Sequence, residues 1–341
     1  MENSHLMILA LTDGKAGHET QTKGIVTLLN NGNQYEVQWL KIYKVSKLTK
    51  HILKALLPIV SPKWALGFYL DTVQLQALQS DNILLVSAGG ETLLPNVLLK
   101  KYFRQQGKAT KNVIATSLRG IPACYFDAVF TIDDKYKNQK PFIYYPIAPN
   151  KMLTFELDKA IHQAKKNLDL TDQKVLSILI GADTKTSKIG TSSEWIECVK
   201  YLALHYPNWK VLISTSRRTP KAFEQDLQQA FIGNTQIALT LVNHGQQCDI
   251  ADYIYAADLI ICSPESTSMI SEALVSEKKV LIPVFKSSVF DKELENYLAK
   301  FEHERWLSKI YIYKIADLIG IVEKITPQKH RQSLFDQFKN I

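Results

Sequence analysis

Two Rossmann-like α/β domains facing each other across a cleft are the architecture that this sequence predicts. Short runs rich in β-branched residues alternate with amphipathic helical segments through most of the chain, the grammar of parallel α/β units. That alternation breaks once, at Tyr144-Tyr145-Pro146-Ile147-Ala148-Pro149-Asn150, where two prolines interrupt it, and then restarts. A length of 341 residues also suffices for two domains of ordinary size, each able to bury a core.

In the first half, strands are predicted at 6–11, 35–40, 83–87, 112–116 and near 128–132, with helices at 20–30, 46–57, 71–79 and 93–105. The second half reads as strands at 174–180, 210–214, 236–241, 258–262 and 279–284. Its helices are predicted at 154–167, 193–205, 220–231, 249–256, 266–276 and 291–301. The expected organisation is a first domain over 1–148, a second over 149–325 and a terminal helix over 326–341 that returns to the first domain. No low-complexity tract and no short-period repeat is present.

Composition excludes several classes. Hydrophobic residues make up 46% and charged residues 22% of the chain, without a disorder signature. Cys124, Cys198, Cys248 and Cys262 form no C-x-x-C pair, so reduced thiols in a cytoplasmic protein are expected rather than disulfides or a zinc site. No signal-peptide pattern opens the chain, and no apolar run is long enough to span a membrane. Charge is uneven: residues 1–150 hold 17 basic and 10 acidic side chains, residues 151–341 hold 24 and 23. The excess in the first half points to an anionic partner there.

The densest chemistry follows the first strand, in Thr12-Asp13-Gly14-Lys15-Ala16-Gly17-His18-Glu19-Thr20-Gln21. Gly14, Lys15 and Gly17 sit in a strand-to-helix turn that lacks both G-x-G-x-x-G and the G-K-[ST] of a P-loop. His18, Glu19 or Asp13 can serve there as a general base. Equally, Asp13 can cap the helix and His18 can be a solvated turn residue. Ser87-Ala88-Gly89-Gly90-Glu91-Thr92 ends another strand, and Gly89 and Gly90 either let backbone approach a ligand or make a tight turn.

The second half repeats this design three times. Ile180-Gly181-Ala182-Asp183 follows its first strand, with Gly181 for close approach and Asp183 as a polar contact. Ser214-Thr215-Ser216-Arg217-Arg218-Thr219-Pro220 sets Ser214, Thr215, Arg217 and Arg218 at a strand end, where arginine forks suit phosphate oxygens. Ser263-Pro264-Glu265-Ser266-Thr267-Ser268 opens a helix whose hydroxyls, at Ser266, Thr267 and Ser268, can cap it or reach a phosphate. Glu272 lies one turn inside, where it can accept from sugar hydroxyls. Solvated turns and ordinary caps account for the same residues individually; three such turns on one sheet edge favour a ligand.

Lys41, Lys44, Lys47, Lys50 and Lys54 are interleaved with apolar residues and followed by Trp64, Phe68 and Tyr69. This pattern suits the surface of an anionic membrane, or a packed helix with solvated lysines. No nucleic-acid-binding motif is present.

Three stretches, Leu11–Glu19, Thr215–Thr219 and Ser266–Ala273, together with Ser87–Gly90 and Ala148–Lys151, resemble the mitochondrial-fission ELM family of glycosyltransferase-like proteins. The likeness runs in order through about residues 6–285 and departs at Ala16, where proline is frequent, and at Gly90-Glu91, where basic residues are common. The resemblance implies a GT-B-like fold in which two Rossmann-like domains bind acceptor and nucleotide-sugar donor. The serine-rich turn and Glu272 are also similar to the donor site of the peptidoglycan N-acetylglucosaminyltransferase. By that likeness Arg217, Arg218 and Ser214 hold the diphosphate, Ser266–Ser268 support it, Glu272 binds the ribose, and His18 or Asp13 lies near the acceptor hydroxyl.

The expected activity is therefore sugar transfer to a lipid-linked or cell-envelope glycan. It needs no metal or other cofactor, the nucleotide sugar being a substrate, and no D-x-D is present to hold a metal. The expected partners are that donor, the acceptor and an anionic membrane face, with peripheral attachment of a cytoplasmic protein and no nucleic acid. A non-catalytic membrane-associated adaptor and a nucleotide-sugar epimerase are the alternatives.

Overall fold

The computed structural model describes residues 6–30, 34–78, 80–312, 317–329, 334 and 336–337. The chain divides into two compact units, Met1–Phe155 with His330–Ile341, and Glu156–Lys329.

In the first unit the elements are β1 (Leu6–Thr12), α1 (Ala16–Leu29), β2 (Glu36–Lys41), α2 (Lys47–Ala55), α3 (Pro62–Leu66), β3 (Asn82–Ala88), α4 (Leu93–Gln105), β4 (Ala109–Ala115), β5 (Ala128–Thr131) and β6 (Phe142–Tyr144). All six strands run parallel in the order β2-β1-β3-β4-β5-β6. The inner strands are covered on both faces, which is why β1 and β3 read as continuous apolar runs rather than alternating ones. Polar residues pin α4 to the sheet: Asn96 donates to Ser87 Oγ (2.9 Å), Asn112 donates to Asn96 Oδ1 (2.7 Å), and Lys100 reaches Asp127 at 2.6 Å. Buried amides satisfied in this way fix one arrangement of helix and strands.

The second unit contains α5 (Leu157–Asn167), β7 (Val175–Leu179), α6 (Ser192–His205), β8 (Lys210–Ser214), α7 (Lys221–Phe231), β9 (Ile237–Thr240), α8 (Ile250–Ala256), β10 (Leu259–Cys262), α9 (Thr267–Val275), β11 (Lys279–Val284), α10 (Lys292–His303), β12 (Leu307–Tyr311) and α11 (Leu318–Lys324). Its sheet is also fully parallel, ordered β12-β11-β10-β7-β8-β9. Numbered within the unit this is the Rossmann order 3-2-1-4-5-6. Trp195, fully buried, anchors α6 over this sheet and donates its indole N–H to the Ile189 carbonyl at 3.0 Å.

Four features differ from the sequence expectation. Helix α1 starts at Ala16, which places His18 and Glu19 in its first turn. The edge strands β6 and β12 and the short helix α3 lie outside the expected elements: β6 and α3 are too short to show a period, and β12 has little apolar contrast. The segment over 71–79 is a 3-10 helix at Thr72–Ala77. The stretch 144–150, read as a linker, packs onto the first unit: Tyr145 N–H donates to the Thr131 carbonyl (3.0 Å), and a Cβ at Gly24 would overlap the Asn150 backbone. Prolines end the strand there without releasing the chain. Most of the helix expected over 326–341 lies outside the described residues; 326–329 are irregular.

Candidate functional site

In the first sheet the strand order reverses between β1 and β3, so the loops after those two strands adjoin. Open α/β sheets bind ligands at such a reversal, outside the carboxyl ends of the strands. Gly14 turns the first loop with φ +77, a conformation that L side chains disfavour. Asp13 then accepts from His18, with Nδ1 to Oδ2 at 2.8 Å. The Asp13 side chain is 5% exposed and that of His18 28%. An ionised carboxylate only accepts, so this contact favours the neutral tautomer with its proton on Nδ1, the one that leaves the Nε2 lone pair available as a base.

The other candidates in this turn have different partners. Glu19 accepts from Thr12 Oγ1 at 2.6 Å, and Thr12 Oγ1 accepts from Gly14 N–H at 3.0 Å. Lys15 donates its backbone N–H to Asp13 at 3.2 Å and holds its ammonium 3.7 Å from that carboxylate. Gly17 faces open space. The geometry thus assigns Glu19 to bracing the loop and Asp13 to orienting His18.

The second loop closes against the first. Gly89 has φ +90, and a Cβ there would overlap the His18 ring; a Cβ at Gly90 would overlap the Arg119 guanidinium. Both glycines therefore permit close approach by a side chain. Helix α2 clamps this loop from outside: Lys50 pairs with Glu91, and Lys54 donates to the Arg119 carbonyl at 2.6 Å. Arg119 was not singled out in the sequence, where only its neighbour Gly120 marks a turn.

His18, Gln21 and Gly89 form one end of a cavity of about 410 Å³ contained within the first unit. Its other walls come from Thr116 and Ser117 after β4, Phe130 to Asp133 at the end of β5, and Lys135, Tyr136 and Phe142. Tyr136 and Phe142 stack with centroids 4.1 Å apart, and Lys135 reaches Asp133 at 2.6 Å. Hydroxyls, a carboxylate, an ammonium and aromatic surface in one cavity suit a polar ligand that also has an apolar face.

In the second unit the reversal falls between β7 and β10, and Glu265 bridges it. This carboxylate, whose side chain is 1% exposed, accepts from Ala182 N–H at 3.0 Å and from Ser263 Oγ at 2.5 Å. The Arg218 guanidinium, 58% exposed, reaches it at 3.5 Å. A Cβ at Gly181 would overlap this same carboxylate, so glycine is required there for the bridge. Thr219 ties the turn down, donating to the Gly181 carbonyl at 2.6 Å. Three loops are thus fastened around one buried acid that sequence reasoning did not select.

The predicted donor residues fall into two groups. Exposed at the sheet edge are Arg217, Arg218, Thr267 and Ser268; Ser266 caps α9 by accepting from Met269 N–H at 3.4 Å. Turned inward are Ser214, 1% exposed and 3.4 Å from Cys248 Sγ, and Thr215, which donates to Glu224 and accepts from Val242 N–H at 2.8 Å. Asp183 accepts from Ile189 N–H at 2.9 Å and shapes its own loop, and Glu272 is buried on α9. Glu224 has no exposed surface and also accepts from His244 Nδ1 at 2.5 Å. This second carboxylate–imidazole pair stands beside the arginine turn. Its members lie in an amphipathic helix and a polar turn, and nothing in their local sequence marks them.

Comparison with known proteins places these features in context. The sequence profile described as Mitochondrial fission ELM1 matches residues 16–309. No curated protein matches the chain. Among solved structures, the UDP-GlcNAc 2-epimerase of Neisseria meningitidis, bound to UDP-GlcNAc, is 11% identical, with a TM-score of 0.52 over 98% of this chain and 98% of that one. The UDP-GlcNAc 2-epimerase of Methanocaldococcus jannaschii is 12% identical, with a TM-score of 0.52 over 96% and 94%. The E. coli ADP-heptose LPS heptosyltransferase II is 11% identical, with a TM-score of 0.42 over 98% and 99%. The first two likenesses, together with the two parallel sheets, show a GT-B-like fold.

Proposed function

The chain belongs to the mitochondrial fission ELM1 family, and from that premise we propose that it is a glycosyltransferase. It moves a sugar from a nucleotide-sugar donor held by the second unit to a hydroxyl of an acceptor held in the cavity of the first. The observation that carries this reading is His18, paired with Asp13, in the wall of that cavity. An epimerase acts on its nucleotide sugar alone; a pocket with an oriented base in the other unit suits a second substrate.

The chemistry balances as follows. His18 Nε2 takes the proton of the acceptor hydroxyl as that oxygen bonds to the anomeric carbon. The bond from that carbon to the diphosphate oxygen breaks with inversion, and the nucleoside diphosphate leaves with the electron pair. Arg217, Arg218 and the N-terminal amides of α9 stabilise the charge that develops there, without recourse to a metal ion. Glu265 holds Arg218 in position before the donor arrives. The basic group that the family pattern places at positions 90–91 is supplied from Arg119, over Gly90. The acceptor class that fits is a glycan with an apolar or lipid-linked portion, since the cavity joins polar groups to the stacked Tyr136 and Phe142.

A thermal-shift screen of nucleotide sugars identifies the donor, because ligand binding to the folded chain raises its midpoint. Calorimetry with the matching nucleoside diphosphate then tests the site: Arg218→Ala weakens binding about tenfold or more, the scale of a charge-assisted hydrogen bond. Unchanged affinity removes the donor assignment. Product analysis decides the reaction, since epimerised nucleotide sugar formed without an acceptor replaces transfer by epimerisation, and absence of any turnover supports an adaptor.

A further inference from the structure

Between Val37 and Leu70 the chain carries six lysines and no Asp or Glu. The segment, bounded by Glu36 and Asp71, runs from within β2 through α2 and α3, and its apolar residues divide between two sides. Leu53, Leu57, Ala65 and Leu66 are buried in the first unit's core. Leu48 and Ile52 on α2 and Leu56 at its C-cap, spaced i, i+4 and i+8, are exposed, and Ile59 just beyond is 81% exposed. On α3 and the turn after it, Trp64 and Phe68 are exposed and pack edge to face with centroids 5.0 Å apart. Exposed apolar side chains repeated along one face of a helix, followed by an exposed aromatic pair, mark an interaction site rather than a solvated face.

The lysines divide likewise. Lys50 and Lys54 turn toward the loop after β3 and the Arg119 turn. Lys41, Lys44, Lys47 and Lys63 are exposed and form no ion pair among the described residues. They flank the apolar side chains in sequence, and no acidic residue of the segment offsets them.

We propose that the α2–α3 surface docks on the anionic face of a lipid bilayer. Its apolar side chains enter the boundary between headgroups and acyl chains, and its lysines pair with lipid phosphates. Charge selects this occupant. A second copy of the chain using the same patch would bring lysines against lysines across a two-fold contact. The attachment is peripheral, because α2 has nine residues and α3 five. No helix among the described residues is long and apolar enough to cross a membrane.

This inference goes beyond the transferase reading and stands without it. Flotation of the full chain tests it, using vesicles of phosphatidylcholine alone and vesicles that also contain phosphatidylglycerol. The expected result is flotation with the anionic vesicles only, weakening as salt is raised. Ile52→Ser with Trp64→Ser lowers vesicle affinity about tenfold or more. Lys44→Gln with Lys63→Gln loses binding at a lower salt concentration than the wild type. All four residues are exposed, and unchanged thermal midpoints verify the fold. Equal flotation of the Ile52/Trp64 variant overturns the proposal, as does failure of the wild type to float. Self-association or capture of an acidic protein, abolished by the same variants without vesicle binding, replaces the bilayer by that partner. A chain that floats but transfers no sugar refutes the transferase reading alone.

Discussion

His18 performs its proposed role through a neighbour that never touches the substrate. Asp13 Oδ2 lies 2.8 Å from His18 Nδ1 and favours a proton there, so removing the negative charge alters the tautomer as well as the orientation of the ring. His18→Ala is expected to lower kcat about 10²- to 10⁴-fold, the usual weight of a general base, and to leave donor affinity unchanged by calorimetry. Asp13→Asn, whose amide can donate to Nδ1 and move the proton to Nε2, is expected to lose turnover comparably. Glu19→Gln keeps an acceptor for Thr12 and so retains turnover within a few fold. Wild-type turnover in His18→Ala would remove the imidazole from the reaction. The three residues were legible in the sequence as a set, because they crowd one strand-to-helix turn. Their pairing was not, since it depends on α1 beginning at Ala16 and presenting His18 back toward Asp13.

Elements that the sequence displays are those whose apolar residues stand out from their flanks. β1, β3, β7, β8 and β10 are continuous apolar runs ended by glycine or hydroxyl residues, and each was located within a residue or two. The edge strand β6 has three residues, and β12 reads Leu-Ser-Lys-Ile-Tyr with little contrast. Loops were legible by composition, and their fastenings were not. Glu265 meets Ala182 across 83 positions of sequence, a contact that only the β7–β10 adjacency creates. The loop after β3 gives a test on this scale. Gly89→Ala combines an unfavourable left-handed backbone, about 1–2 kcal/mol, with overlap on the His18 ring. Gly107→Ala, with φ +78 and nothing nearby, carries the backbone cost alone. Urea denaturation is expected to show both variants destabilised, and assays to show turnover lost only in Gly89→Ala. Equal turnover in the two would mean that the ring is not held by this contact.

The whole molecule also reports on its charges through stability. Burial lowers the pKa of Lys278 to about 8, against opposing attraction from Asp258. In the unfolded chain the ammonium titrates near its ordinary value of about 10.4. Between these pH values the unfolded state binds more protons than the folded one, so this lysine makes stability rise with pH there. Below about pH 8 the full cost of burying the charge is present. Lys278→Met is expected to be more stable than the wild type at neutral pH, with the difference shrinking as pH rises toward 10; urea midpoints of the pair across that range measure it. A difference independent of pH would show that Lys278 titrates as it does in water.

The division of the chain into units has a further consequence, in the order of its making. Residues 156–329 are contiguous, whereas the first unit takes its closing residues from beyond Lys329, including the fully buried Leu334. Gln337 donates to the Tyr144 carbonyl of that unit at 3.4 Å. A ribosome therefore releases every residue of the second unit before it releases the last residues of the first. The half begun first is completed only after the other, and a chain that stops at Lys329 loses part of the unit that carries His18 while keeping the other whole.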